Sequence, residues 1–339
     1  MSIARKIMTG DAGGSGDPEY DLDDVFSTYL YEGTGKARDI VNGIDLVDKG
    51  GLVWIKNRSS GGNAIHFQWD TERQTPLSYI SSDRPNAEYS NLDYHITSFN
   101  SDGFSLHNSG NGDNARAEYY ASWTWAKQDE FFDVVTYTGN GVAGRKIPHN
   151  LGSAPGMIIV KCLTDTKNWR VYHTSLGANY WLELNETSDK TSSLAIWNRT
   201  EPTSTSFTVG SSSTINGSDQ EYVAYLFADN PLSIRCGSYV GNASDNGPEI
   251  YLGWEPQWLL IKDADGANNW VMLDVMRGIV TDGNDPYLQP NTQDSETGNL
   301  DSVDVNATGF KIKTSSGMFN GSFKTHIYMA IRRPVTPAE

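Results

Sequence analysis

Cysteine is nearly missing from this chain: two residues in 339, Cys162 and Cys236. They fall at unmatched places in the pattern described below, so a disulfide framework is excluded and both are expected to be inert, with Cys162 packed as a small apolar side chain. Basic runs are missing too, apart from Arg332-Arg333, and the formal charge is −16. Nucleic-acid affinity comes largely from Lys and Arg displacing phosphate counterions, so DNA and RNA are not expected partners. No apolar run approaches the ~18–20 residues that a membrane-spanning helix needs, so membrane insertion is not expected. Met1–Met8 carries Arg5-Lys6 but no apolar core or cleavage site follows, so it does not read as a secretion signal, and folding in a cytoplasm is expected. Sustained apolar spacing at i, i+3, i+4, i+7 is absent as well.

What is present is period-two alternation broken by turn signals. Asn140-Gly141, Asn216-Gly217, Asp282-Gly283 and Asn320-Gly321 supply the positive φ angles that tight hairpins need. A short apolar strand ending in lysine occurs three times, at Leu52–Lys56, Met157–Lys161 and Trp258–Lys262, with spacings of 161 − 56 = 105 and 262 − 161 = 101 residues. Four other landmarks keep the same order. They are Tyr31, Tyr137 and Tyr239; Tyr79-Ile80, Trp181-Leu182 and Tyr287-Leu288; Phe104, Phe207 and Phe310; and the closing strands Trp123–Ala126, Tyr225–Ala228 and Tyr328–Ile331. Such a pattern reads as an internal triplication.

The expected architecture is therefore all-β: three tandem antiparallel β-sandwiches, lectin- or jelly-roll-like, each with a core of its own. Residues 1–25 are read as an N-terminal anchor peptide with a Gly-rich linker, 26–130, 131–232 and 233–334 as the repeats, and 335–339 as a tail. Asp17, Glu19, Asp21, Asp23 and Asp24 make the end of the anchor acidic; it is either a docking peptide or a frayed terminus.

Several motifs invite chemistry, and most have a simpler reading. Gly139–Gly144 matches G-x-G-x-x-G, but Arg145-Lys-Ile-Pro148 cannot open the helix a dinucleotide site needs, so a hairpin turn is expected. Asp263 and Asp265 resemble the start of a calcium loop without its later ligands, and read as a turn. The histidines (His66, His95, His107, His149, His173, His326) have no ligand spacing and no Cys-x-x-Cys beside them, so no metal is expected. No nucleophile elbow is present, and no cofactor or catalytic residue is nominated. Asp70-x-x-Arg73 and Asp274-x-x-Arg277 read as surface ion pairs or, alternatively, a ligand-contacting pair, while the second copy has His173–Leu176 there. Trp54, Trp123 and Trp258 align with apolar residues in other copies and are assigned to the core. Trp254 aligns with Asp48 and Ser153, which places it on the surface as the one nominated ligand-binding residue.

The run Ala4–Met8, Phe26–Tyr29, Gly51–Lys56, Asp70–Arg73, Phe132–Asn140, His149–Gly152 and Tyr222–Ala228 resembles tail-fibre or virion structural proteins of marine tailed bacteriophages, and the likeness covers nearly the whole chain. That resemblance implies a non-enzymatic virion protein, located on the phage tail. It would dock on other virion proteins through its N-terminus and contact a host cell-surface glycan or protein. A homo-oligomer, first of all a trimer, is expected from fibre symmetry. The alternatives are a purely structural tail or capsid component and a polysaccharide-degrading tailspike.

Overall fold

A computed structural model describes residues 16–59, 64–73, 78–90, 96–108, 112–279 and 281–334. Residues 1–15 of the expected anchor, His95 and the tail 335–339 lie outside them. The protein is all-β, built from several antiparallel sheets. Three four-stranded sheets share one strand order. The first runs Phe26–Glu32, Tyr119–Ala126, Gly51–Asn57, His66–Asp70. In the second the order is Phe132–Thr138, Glu221–Ala228, Pro155–Cys162, Arg170–His173. Ile234–Val240, Thr325–Arg332, Pro256–Asp263 and Val271–Asp274 make the third. Smaller sheets cover them: Arg38–Val41 with Gly103–Leu106 and Ile96–Asn100, Arg145–Pro148 with Ser206–Val209, and Glu249–Tyr251 with Gly309–Ile312 and Val303–Asn306.

The lysine-ended strand lies inside each main sheet and is buried at every position. A strand covered on both faces needs no polar alternation, which is why the sequence shows an unbroken apolar run there. In the third sheet the two faces separate cleanly. Leu259, Ile261, Tyr328 and Ala330 pack on Phe310 and Ile250 of the covering sheet. Trp258, Leu260, Met329 and Ile331 join a core that also holds Phe26 and Trp125 of the first segment and Phe132 and Phe227 of the second. Trp125 is its hub, with ring centroids 5.7 Å from Trp258 and 6.0 Å from Phe227. Edge-to-face contacts of this kind contribute ~0.5–1.5 kcal/mol each beyond burial.

Three expectations change here. The segments do not hold three self-contained cores, because one face of each main sheet is buried against the other segments. The closing strand of the third segment is one residue out of the sequence alignment: Met329 pairs with Leu260 as Trp123 does with Trp54 and Tyr225 with Ile159. Finally, the acidic stretch after residue 16 is packed rather than frayed. Leu22 and Val25 are buried, the Tyr20 hydroxyl meets Ser233 Oγ at 2.7 Å, and Asp17 pairs with Arg332 at 2.9 Å.

Candidate functional site

Chemically distinctive side chains collect where segments meet, and the same bonds recur at each meeting. The residues four positions before Asp70, His173 and Asp274 are His66, Trp169 and Trp270. Each points a ring N–H at a carbonyl of another segment: Trp169 Nε1 to Ser81 O at 3.0 Å, Trp270 Nε1 to Glu183 O at 2.8 Å, and His66 Nε2 to Gln289 O at 3.0 Å. Backbone bonds run beside them, from Glu88 N to Leu163 O (2.9 Å), Lys190 N to Ala264 O (2.8 Å) and Glu296 N to Arg58 O (3.1 Å). The partners run first with second, second with third, and third with first. The chain therefore closes on itself as a ring.

A third set of bonds explains the Asp-x-x-Arg motif. Asp70 and Asp274 are buried, each 2.6 Å from the Nε of the following arginine, so these are interior ion pairs rather than surface ones. Asp70 also accepts from the Tyr225 hydroxyl at 2.7 Å, and Asp274 from Trp123 Nε1 at 3.0 Å. At the remaining junction the closing strand offers Met329, which has no donor. The acid there is replaced by His173, whose Nε2 donates to the Tyr328 carbonyl at 3.1 Å.

Two of the three lysines, Lys161 and Lys262, serve the same purpose. Lys262 Nζ donates to the carbonyls of Asp263, Gly266, Asn268 and, across the junction, Thr187. Lys161 Nζ reaches Cys162, Lys167 and, across the junction, Pro85, while Lys56 donates to Ala64 O. Burial pushes all three ammonium groups down to about 8.

Trp254 is buried, 5% exposed, and its Nε1 donates to Pro231 O at 2.8 Å. The surface position read from its alignment is thus corrected: the turn before the strand Pro256–Asp263 folds inward, over Pro231. Gly139–Gly144 is a turn, with φ of +68° at Gly141 and +84° at Gly144, and strand resumes at Arg145. Asp263 accepts from Asp265 N and from Asn268 Nδ2, as an Asp-Gly turn would. Among the described residues no group of three or more His, Cys, Asp or Glu could hold a metal ion. Cys162 and Cys236 are buried and unpaired.

Sequence reasoning missed the aromatics that do face solvent. Phe323 is 90% exposed and Tyr251 78%. Phe323 has φ +57°, a left-handed backbone that bulky residues rarely adopt. Ala117 and Asp219 take the same pose at the matching turns, each bonding through its N–H to Gly33 O or Gly139 O as Phe323 does to Gly241 O. Only an alignment of these turns, anchored on the buried Asn114, Asn216 and Asn320, would have exposed that difference.

The class of protein this defines is a closed all-β ring of three like-ordered sheets around a shared aromatic core. The chain belongs to the family described as a domain of unknown function, DUF7483, whose model matches residues 21–334 and so takes in all three main sheets. No curated protein matches it, and no solved structure does. No helix among the described residues is long and apolar enough to cross a membrane.

Proposed function

We propose that the chain is a non-enzymatic component of a bacteriophage particle, associated with the tail, that docks through its N-terminal segment and presents the loop ends of a rigid ring to the host surface. The observation that carries this reading is the contrast between interior and rim. Buried His66, His173, Asp70, Asp274, Lys161 and Lys262 are engaged in holding segments together, while Phe323 stands exposed in a strained backbone at a turn where its counterparts are Ala117 and Asp219. Strain of ~1–3 kcal/mol kept at an exposed aromatic suits a contact residue. The resemblance to tail-fibre proteins supplies the setting.

A cryo-EM map of the particle tests the placement. Density at the tail periphery with the Phe323 turn facing outward is expected; density enclosed on every side by neighbouring subunits would make the chain a purely structural part instead. Phe323→Ala is expected to reduce adsorption to host cells without lowering thermal stability. The homotrimer expected of a fibre belongs to the same proposal. Light scattering should then return three times the 37.4 kDa of one chain, and a mass of one chain would remove it.

A further inference from the structure

Three cations converge on one cavity of an otherwise acidic chain. Tyr29, Tyr31 and Glu32, on the outermost strand of the first main sheet, line an open cavity of about 650 Å³ together with Lys36, Arg38 and Arg116. Its floor is rigid. Gly33 N bonds to Glu118 O, Gly35 N to Asn114 O and Ala117 N to Gly33 O. The wholly buried Asn114 accepts from Thr34 N at 3.0 Å and donates to Lys36 O at 2.7 Å. Arg38 is held in place, its guanidinium 5.7 Å over the Tyr31 ring and its Nη1 donating to Glu32 O at 2.9 Å. Lys36 and Arg116 are exposed and make no ion pair among the described residues.

Comparison between segments separates fold from surplus. Arg38 has a counterpart in Arg145, which lies 5.9 Å over Tyr137 and donates to Thr138 O. That arrangement is shared with the second segment, whereas the third has Pro248 at the matching position. Counting back from the paired Ile40, Ile147 and Ile250, the positions matching Lys36 hold Ala143 and Asn246. Counting on from Asn114, Asn216 and Asn320, those matching Arg116 hold Ser218 and Ser322. The fold forms without cations at these two places, and only the first segment carries them.

We propose that this cavity binds an anionic saccharide, with a carboxylate or sulfate group held by Lys36, Arg38 and Arg116 and a sugar ring against half-buried Tyr29. Pre-organised guanidinium is suited to such oxyanions because its donors match them two at a time. The volume falls within the range of ~300–1,000 Å³ usual for small-molecule sites. A polynucleotide does not fit, since the chain beyond this patch is strongly acidic. The inference rests on the host-contact reading only for the biological source of the saccharide.

The experiment is calorimetric titration of the full chain at low salt with polygalacturonate, dextran sulfate and neutral dextran. At least one polyanion is expected to bind and neutral dextran to give no heat; which polyanion binds separates carboxylate from sulfate. The double variant Lys36→Glu/Arg116→Glu should bind more than tenfold more weakly at an unchanged thermal midpoint. Lys146→Glu, exposed on the second segment, should bind as the original does. No binding of either polyanion, equal binding by the double variant, or equal loss in Lys146→Glu overturns the proposal. Because purified chain is used, such a failure leaves the placement on the particle untouched.

Discussion

Trp123 Nε1 donates to a carboxylate oxygen of Asp274 at 3.0 Å across 151 residues of chain, with both side chains wholly buried. The bond joins the last segment to the first. The same carboxylate holds the Arg277 guanidinium, which lies 5.3 Å from the Trp123 ring, so donor, acid and cation form one unit.

Removing either end should therefore be felt at the other. Asp274→Ala leaves Arg277 a buried charge without its nearest counterion and is expected to cost ~3–5 kcal/mol. Trp123→Phe removes one donor to a charged acceptor and is expected to cost ~1.5–3 kcal/mol. In a urea-denaturation cycle the two should couple by ~0.5–3 kcal/mol. Strictly additive costs would mean that the first and third segments do not meet here.

Acid should loosen the ring. His173 donates through Nε2 and accepts from Ser175 N through Nδ1. His66 likewise donates to Gln289 O and accepts from Trp54 Nε1. Both are fixed as neutral imidazoles, and a second proton would face a donor. Burial pushes His173 down from 6.5 to about 4 and His66 well below 6.5. With the folded value depressed, the stability these groups contribute is full above about pH 6.5 and is lost as pH falls towards 4. For His173 alone the loss approaches ~3 kcal/mol at ~1.4 kcal/mol per pH unit. The thermal midpoint should fall between pH 7 and 4.5, and His173→Gln should flatten part of that slope. A midpoint constant over this range would contradict the assignment.

Asp113 should show the opposite sign. Among the described residues no other residue donates to its wholly buried carboxylate, which sits at a place where the other segments carry Ile215 and Phe319. Burial raises it well above the usual carboxylate range. The stability of its neutral form is present below the unfolded value near 4 and lost as pH rises through the raised one. Asp113→Asn is thus expected to stabilise the chain by ~1–3 kcal/mol at pH 7 and to change little at pH 4. A loss of stability at pH 7 would show that the carboxylate is needed where it stands.

Much of this fold was legible because its strands are marked chemically. The strands ending at Lys56, Lys161 and Lys262 read as apolar runs, and the Phe104, Phe207 and Phe310 positions are all buried. The shared core was legible only as the lack of alternation in those runs, which a strand under a single covering sheet would not show. Met329 was misaligned because Tyr328 beside it is equally apolar, and the two differ only in which face they serve. Asp70 and Asp274 looked like surface acids, since nothing local in Asp-x-x-Arg announces a partner 155 or 151 residues away. Trp254 failed for a related reason: polar residues at aligned positions say nothing about a turn that folds over Pro231.

Scanning calorimetry of the full chain, with residues 131–232 expressed alone beside it, tests the closed ring most directly. The ring requires one cooperative transition, a calorimetric enthalpy matching the van't Hoff value, and an excised segment that does not fold because one face of its sheet is bare. Three separable transitions, or an excised segment that melts at the temperature of the whole, would contradict it.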